Sequence, residues 1–339
     1  MLDKEAAFYQ RIEQETIVQF DAWLQKKEGE DEDEKDEKDT SSDRKEHQLL
    51  SWLSMLRQAC SHPLLVTGGR TATSALCNKV APKTDKCVHC RSPATTQRRE
   101  TCHHRTCDDC ARRTECPLCR LVHDFRRSPS SSKIDRLCEL LATRPAGSKT
   151  LVFSQWVSQL DLTEFMLRKR MPKMTLFRID GTVKDRDRVL SEAKACTTTA
   201  TLLCSLRTCA HGLNMQWADW VIILDQDYNP HMERQAWKRV HRQGQTRPVR
   251  IYRLITSTRV DTVLSAMQTK KLQEASEFVE GDAPNVNSKR ANMSDVVAIF
   301  MSLRTQAALG LDAAARRARA TPWGLRAPAT PSMLDGFES

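Results

Sequence analysis

The spacing of apolar residues changes period along this chain, and each change predicts an element. In residues 1–27, Phe8, Ile12, Ile17, Phe20 and Leu24 recur at helical intervals and predict one amphipathic helix with a partner surface. A second stripe, Leu49, Leu53, Leu56 and Cys60, predicts a helix that opens on the capping pair Asp43 and Glu46 and stops at Pro63. From Ser131 onward short apolar runs alternate with helical patterns. Helices are expected over 133–141, 157–170, 186–195 and 259–277, with strands over 150–154, 174–179, 201–206, 220–224 and 249–254. Asn229 as N-cap and Pro230 at the first helical position start a further helix, expected to run to about His241 before Gly244 releases it. Residues 294–303 predict one more. Alternation of this kind makes an α/β fold with a parallel sheet covered on both faces, whose function sits on loops at the strands' C-terminal ends.

On the helix after Pro230, Gln235, Arg239 and Arg242 are spaced by four and three residues, so the expected helix carries them on one face. Two guanidinium groups then point the same way. Arg stays charged and presents a rigid fork of donors suited to phosphate oxygens.

Composition refines this picture. The 339 residues suffice for two modest domains with linkers, and no apolar run approaches the length that spans a bilayer. The net charge of +10 hides an acidic block, residues 28–39, with nine acidic residues against two lysines; the insert 28–42 is expected to be solvated and without a fold. Residues 131–280 carry 24 basic against 16 acidic residues, which fits a polyanionic partner.

Seven of the thirteen cysteines crowd between Cys87 and Cys119. Cys87 and Cys90, Cys102 and His104, Cys107 and Cys110, and Cys116 and Cys119 form four closely spaced pairs, each able to clamp one side of a tetrahedral ion. His103 competes with His104. Eight ligands make two closed, four-coordinate sites, the pattern of structural zinc in a reducing compartment. The segment 87–120 is similar to a RING finger. That resemblance implies a cross-braced order in which one ion takes Cys87, Cys90, Cys107 and Cys110, and the other Cys102, His104, Cys116 and Cys119. It also implies a ubiquitin-conjugating enzyme as partner, with Arg120 at the contact. His89 before the second ligand and the five residues between Cys110 and Cys116 depart from the usual pattern.

The run Gln235-Ala236-Trp237-Lys238-Arg239-Val240-His241-Arg242-Gln243-Gly244-Gln245 resembles the last motif of the second motor lobe in Swi/Snf-type ATPases of helicase superfamily two, the helicase-like transcription factor subgroup in particular. KTLVFSQW, FRIDGTVKDR, LLCSLRTCAHGLNM and VIILDQDYNP follow the same family's order, and LLSWLSMLRQACSHPLLV resembles its LRQ-C-HP signature, read here as a packed helix without chemistry. The resemblance implies a RecA-like second helicase lobe over 133–280, a helical segment over 1–66, linkers at 67–86 and 121–132, an inserted RING finger, and a basic tail from 281 to 339. It implies that Gln235, Arg239, Arg242 and Gly212 face a nucleotide, and that Ser154, Gln155, Gly181, Thr182, Ser205 and Arg207 lie against a DNA backbone. At Thr208-Cys209-Ala210-His211 the chain departs from the family's glycine-rich run, and Asp227-Tyr228 replaces its tryptophan pair.

Neither Gly147-Ser148-Lys149-Thr150 nor Asp31-Glu32-Asp33-Glu34 has the context of a phosphate loop or an acidic magnesium motif. ATP and magnesium are therefore expected only when a first RecA-like lobe, in cis or in trans, completes the motor. The implied partners are double-stranded DNA and that lobe, with no membrane, in the nucleus. The alternatives are a RING ubiquitin ligase or interaction module without motor activity, and a decayed remnant.

Overall fold

The computed structural model describes residues 3–28, 38–66, 87, 107–111, 130–209, 214–277 and 293–308. Most of the acidic insert, the linker 67–86, residues 121–129 of the second linker, Gly212, Cys90, Cys102, His104, Cys116, Cys119 and Arg120, and the chain from 309 onward lie outside the described residues.

Five parallel strands form one sheet: β1 (Lys149–Ser154), β2 (Thr175–Ile179), β3 (Ala200–Ser205), β4 (Trp220–Ile223) and β5 (Arg250–Arg253), in the order β2-β3-β1-β4-β5. In register, Ser154 lies beside Ser205, Phe153 beside Ile223, and Ile179 beside Cys204, so the C-terminal ends are nearly level. Alternate residues of β1, β3 and β4 feed opposite faces, as the pleat requires. Val152, Leu203 and Ile222 meet Leu137, Leu140 and Leu141 of α5 (Ser132–Thr143) and Leu160 and Leu167 of α6 (Val157–Arg170). Leu151, Phe153, Leu202, Cys204, Val221 and Ile223 meet the opposite layer, where α7 (Arg186–Ala195) supplies Val189 and Leu190 and α9 (Pro230–Trp237) supplies Ala236, with Val240 just beyond it. The helices leaving β1 and β4 thus cover opposite faces. The crevice between the C-terminal ends of these adjacent strands is the sheet's switch point.

Two four-residue helices, α4 (Asp108–Ala111) and α8 (Leu206–Cys209), complete the described helices. A second core stands against the sheet. Phe8, Ile12 and Phe20 of α1 (Asp3–Glu28) pack with Leu49, Leu53, Leu56 and Cys60 of α2 (Lys38–Ser61), and with Val260, Val263 and Leu264 of α10 (Arg259–Glu277). The same cluster takes Val296, Ile299, Phe300 and Leu303 of α11 (Met293–Ala308). Phe300 stacks on Phe20 at 5.0 Å and meets Trp52 edge-on at 6.3 Å. The expected helix in the tail is therefore a full partner in the helical layer. Its four buried apolar residues join it to that core, while Met301 stays exposed.

Two expectations need correction. α2 begins at Lys38, so Asp43 and Glu46 are interior helical positions and not a cap. Its other end is as expected: α2 stops at Ser61, ahead of Pro63, which opens the short α3 (Pro63–Val66), where a missing N–H costs nothing. Second, α9 stops at Trp237 and gives way to tighter turns in which Arg239 and Val240 N–H groups bond three residues back, to Ala236 and Trp237. Val240 is fully buried in the core below α9. Gln235 is on the helix, while Arg239 and Arg242 ride on the turns after it, so the three do not share one helical face.

Candidate functional site

At the switch point the loops after β1 and β4 are bonded together, and α2 is bonded to both. Asp225 is buried and accepts from the hydroxyls of Ser154 and Ser61 on its two oxygens. One turn earlier on the same face of α2, Arg57 donates through one Nη to Gln155 Oε1 at 2.8 Å and to the Gln226 carbonyl. Gln155 Nε2 donates to that same carbonyl at 2.9 Å, and the Arg57 guanidinium lies 5.3 Å from the centre of the Trp156 ring. Beneath this layer Lys133 is 4% exposed, 3.6 Å from Asp261 and 3.5 Å from Ser61 Oγ. Burial works against its charge, but Asp261 and Asp225 outweigh it and hold the ammonium above the usual lysine range.

The residues expected against a DNA backbone divide into two groups. Ser154 is fully buried and Ser205 is 5% exposed; the Ser154 hydroxyl serves as a donor to Asp225 inside the fold. Gln155 is half-buried, and Gly181, Thr182 and Arg207 are exposed at the ends of β2 and β3. Asp180, 1% exposed, shapes the first of these loops. It accepts from Thr182 N at 2.8 Å and Thr182 Oγ1 at 2.6 Å, and receives Arg178 at 2.7 Å. A β-carbon added at Gly181 would meet open space, so the loop offers a close approach. Burial pushes the Asp180 carboxyl up, yet the bonds from Thr182 and the charge of Arg178 leave it below the usual carboxylate range. A depressed carboxyl contributes stability above its unfolded pKa and loses it as pH falls through the folded value. The 180–182 loop is therefore expected to hold its hydrogen-exchange protection above pH about 4 and to lose it as the pH falls below that value. Asp180→Ala is expected to cost about 1.5–3 kcal/mol by urea titration, the range for bonds to a charged acceptor.

The arginines expected at a nucleotide sit toward the other edge of the sheet. The Arg239 carbonyl accepts Met215 N–H at 3.2 Å, Gln245 Nε2 donates to the Gln216 and Ala218 carbonyls at 2.8 Å each, and Gln216 Nε2 donates to Gln243. These bonds tie the turns to the segment entering β4 at its N-terminal end. The expected site residues thus divide between the two ends of the sheet, because α9 carries the chain back along it. Gln235 and Arg242 are exposed and Arg239 is half-buried. Arg242 makes no ion pair among the described residues. Gly244, with φ of +96°, turns the chain beside Gln216, a conformation that glycine supplies without strain.

Of the expected metal ligands, Cys87, Cys107 and Cys110 are described. They are buried, and their sulfurs all lie within 4.8 Å of one another although twenty residues separate the first two. Cys110 N–H donates to the Cys107 carbonyl at 3.1 Å, the turn that aims both thiols of a Cys-x₂-Cys pair the same way. Zinc held at about 2.3 Å from each thiolate would set sulfurs slightly under 4 Å apart. The three residues present fit such an ion.

Arg57 and Asp227 were not anticipated from the sequence. Burial pushes the Asp227 carboxyl up, while the Asn229 N–H and the charges of Arg57 and Arg207 pull it back. The replacement of the family's tryptophan pair by Asp227-Tyr228 was a signal that this loop would carry charge.

Comparison with known proteins places the chain. The model of the helicase conserved C-terminal domain matches residues 132–244. Protein CHROMATIN REMODELING 19 of Arabidopsis thaliana is 40% identical over 145 residues, covering 42% of this chain and 19% of that protein. DNA repair protein RAD5A of the same plant is 27% identical over 313 residues, covering 74% of this chain and 30% of its own length. The chain thus spans less than a third of these relatives. Among solved structures, the crystal structure of the C-terminal part of the Fun30 ATPase domain superposes with a TM-score of 0.56 at 21% identity, covering 90% of this chain and 96% of that one, a likeness of fold. The chain therefore carries a helicase conserved C-terminal domain of RecA-like α/β architecture, and its homologues are Swi/Snf-family proteins.

Proposed function

We propose that this chain acts as the second lobe of a DNA-translocating ATPase in chromatin remodelling or DNA repair, in the nucleus. A first RecA-like lobe, in cis or in trans, would bring ATP and magnesium. Arg242, with Arg239 and Gln235 beside it, would meet the triphosphate across the cleft, while the loops after β1, β2 and β3 lie on the DNA backbone. The observation that carries the reading is the state of Arg242: exposed, on turns fixed on one side by the Met215 N–H on the Arg239 carbonyl and on the other by the Gln245 side-chain amide on the Ala218 carbonyl, and without an internal carboxylate among the described residues. A guanidinium so held suits the charge that develops on phosphate oxygens as water displaces the γ-phosphoryl group. The test is DNA-stimulated ATP hydrolysis by the full chain mixed with a matching first lobe. Hydrolysis no faster than that of the first lobe alone would overturn the proposal.

A second reading rests on the three gathered thiols. Cys87 from the first pair meets Cys107 and Cys110 from the third, the pairing that a cross-braced RING finger requires. With Cys90 they would hold one zinc, and Cys102, His104, Cys116 and Cys119 the other. A ubiquitin-conjugating enzyme would then be a partner. Metal analysis is expected to find two zinc ions per chain, and Cys110→Ser is expected to lower the content to one. Chelation should remove hydrogen-exchange protection from 87–120 while sparing the sheet, since structural zinc supplies about 10–16 kcal/mol to modules of this kind. Protection that survives complete chelation would count against the zinc.

A further inference from the structure

We propose that Arg57 of α2 is a positioning residue of the nucleic-acid-facing edge, locking the Gln155 side-chain amide so that its NH₂ end is the end offered to a phosphate. This inference deepens the DNA-facing role given above to Gln155 and rests on it.

An amide side chain has an acceptor end and a donor end, and either can face outward if nothing decides between them. A phosphate oxygen only accepts, so a Gln turned the wrong way presents oxygen to oxygen. At the switch point two partners decide the matter. Arg57 has donors only and takes the Oε1 end at 2.8 Å. The Gln226 carbonyl is an acceptor and takes one hydrogen of Nε2 at 2.9 Å. Flipping the amide would set Nε2 against a guanidinium and Oε1 against a carbonyl, losing both bonds and opposing like partial charges. Nε2 has two hydrogens, and the half-buried side chain keeps the second for an outside acceptor.

Arg57 is itself held on three sides. It donates to the Gln226 carbonyl, lies over Trp156, and has the carboxylate of Asp227 near enough to feel its charge. Ser61, four residues on and on the same helical face, anchors the next turn of α2 to Asp225. The LRQ-C-HP helix is thereby fastened to the crevice between β1 and β4 by two side chains, one of which sets the outward polarity of the crevice's own amide.

The test compares Arg57→Met, Gln155→Ala, the double variant and Arg57→Lys in the full chain, by binding of a duplex DNA across a salt series. Arg57→Met and Gln155→Ala are each expected to weaken binding by roughly tenfold, and the double variant no further than Gln155→Ala alone, because Arg57 acts through Gln155. Arg57→Lys, still a donor-only cation, is expected to retain most of the affinity and shows that loss in Arg57→Met is not loss of fold. Additive losses, with the log K against log salt slope falling by about one for Arg57→Met, would make Arg57 a direct phosphate ligand and overturn the positioning role. A readout independent of DNA is the NMR signal of the Gln155 side-chain NH₂. In the unsubstituted chain and in Arg57→Lys both hydrogens are expected to exchange slowly with solvent and to lie away from the shifts of free glutamine, and in Arg57→Met to exchange fast and move to those shifts, remaining two signals throughout because the amide C–N bond turns slowly. Signals unchanged by Arg57→Met would overturn the lock whether or not the chain binds DNA. Absence of DNA binding with the lock intact would instead remove the DNA-facing reading of Gln155, and the proposal with it.

Discussion

Arg242→Ala, in the full chain supplied with a matching first RecA-like lobe, is expected to lower the kcat of DNA-stimulated ATP hydrolysis by about 10³-fold or more, the range in which arginine fingers act. The KM for ATP should change much less, because the guanidinium meets charge that grows as the γ-phosphoryl group leaves. The melting temperature should stay put: the side chain is exposed and has no ion pair among the described residues, so its removal costs the fold little. Arg242→Lys should recover little, since an ammonium lacks the planar pair of donors. A kcat within tenfold of the parent would take Arg242 away from the phosphate. Arg239 is a poorer probe, because it is half-buried in the turn whose backbone holds Met215, and a loss there would mix chemistry with folding.

The largest expected effect on stability belongs to Lys133. Lys133→Met keeps the length of the side chain and removes its charge from between Asp225 and Asp261. Two buried carboxylates would then face each other's surroundings without their shared cation. Breaking such a pair from one side costs about 3–5 kcal/mol, so the midpoint of urea unfolding should fall sharply with the slope unchanged. Asp261 still receives Thr256 N–H at 2.9 Å and Thr256 Oγ1 at 2.7 Å, so Asp261→Asn in the same chain should recover part of the loss. A midpoint unmoved by Lys133→Met would mean that the two carboxylates are satisfied by other donors.

The sheet and its helices were legible because each is written in one local code. The helices at 157–170, 186–195 and 259–277 coincide with α6, α7 and α10, and every expected strand is present within a residue or two of its bounds. What the local code does not carry is where a polar side chain points. Ser154 and Gln155 are neighbours in a motif, yet Ser154 is consumed by Asp225 and Gln155 is turned outward, a difference made by a residue 71 positions away. Arg57 was hidden for the same reason: its partners lie 98 and 169 residues along the chain. The early stop of α9 has no sign in the local pattern, since buried Ala236 and Val240 keep helical spacing across it. α11 shows the opposite failure. Its helix was visible, but its packing against Phe20 and Trp52 needed contacts between the two ends of the sequence.

One cluster has a bearing on how such a chain can grow. Leu64 and Leu65, just before the sixty-odd residues that contain the cysteine pairs, pack with Ile134, just after them, and Ser61 reaches Lys133 across the same gap. Departure and return therefore occur at a single doorway. Whatever is threaded through that doorway adds only a slowly rising entropy of closure, about 0.6 kcal/mol for each doubling of its length. A chain in which residues 67–129 are replaced by a short Gly-Ser bridge is expected to keep the unfolding midpoint of the lobe, since its two flanks already meet.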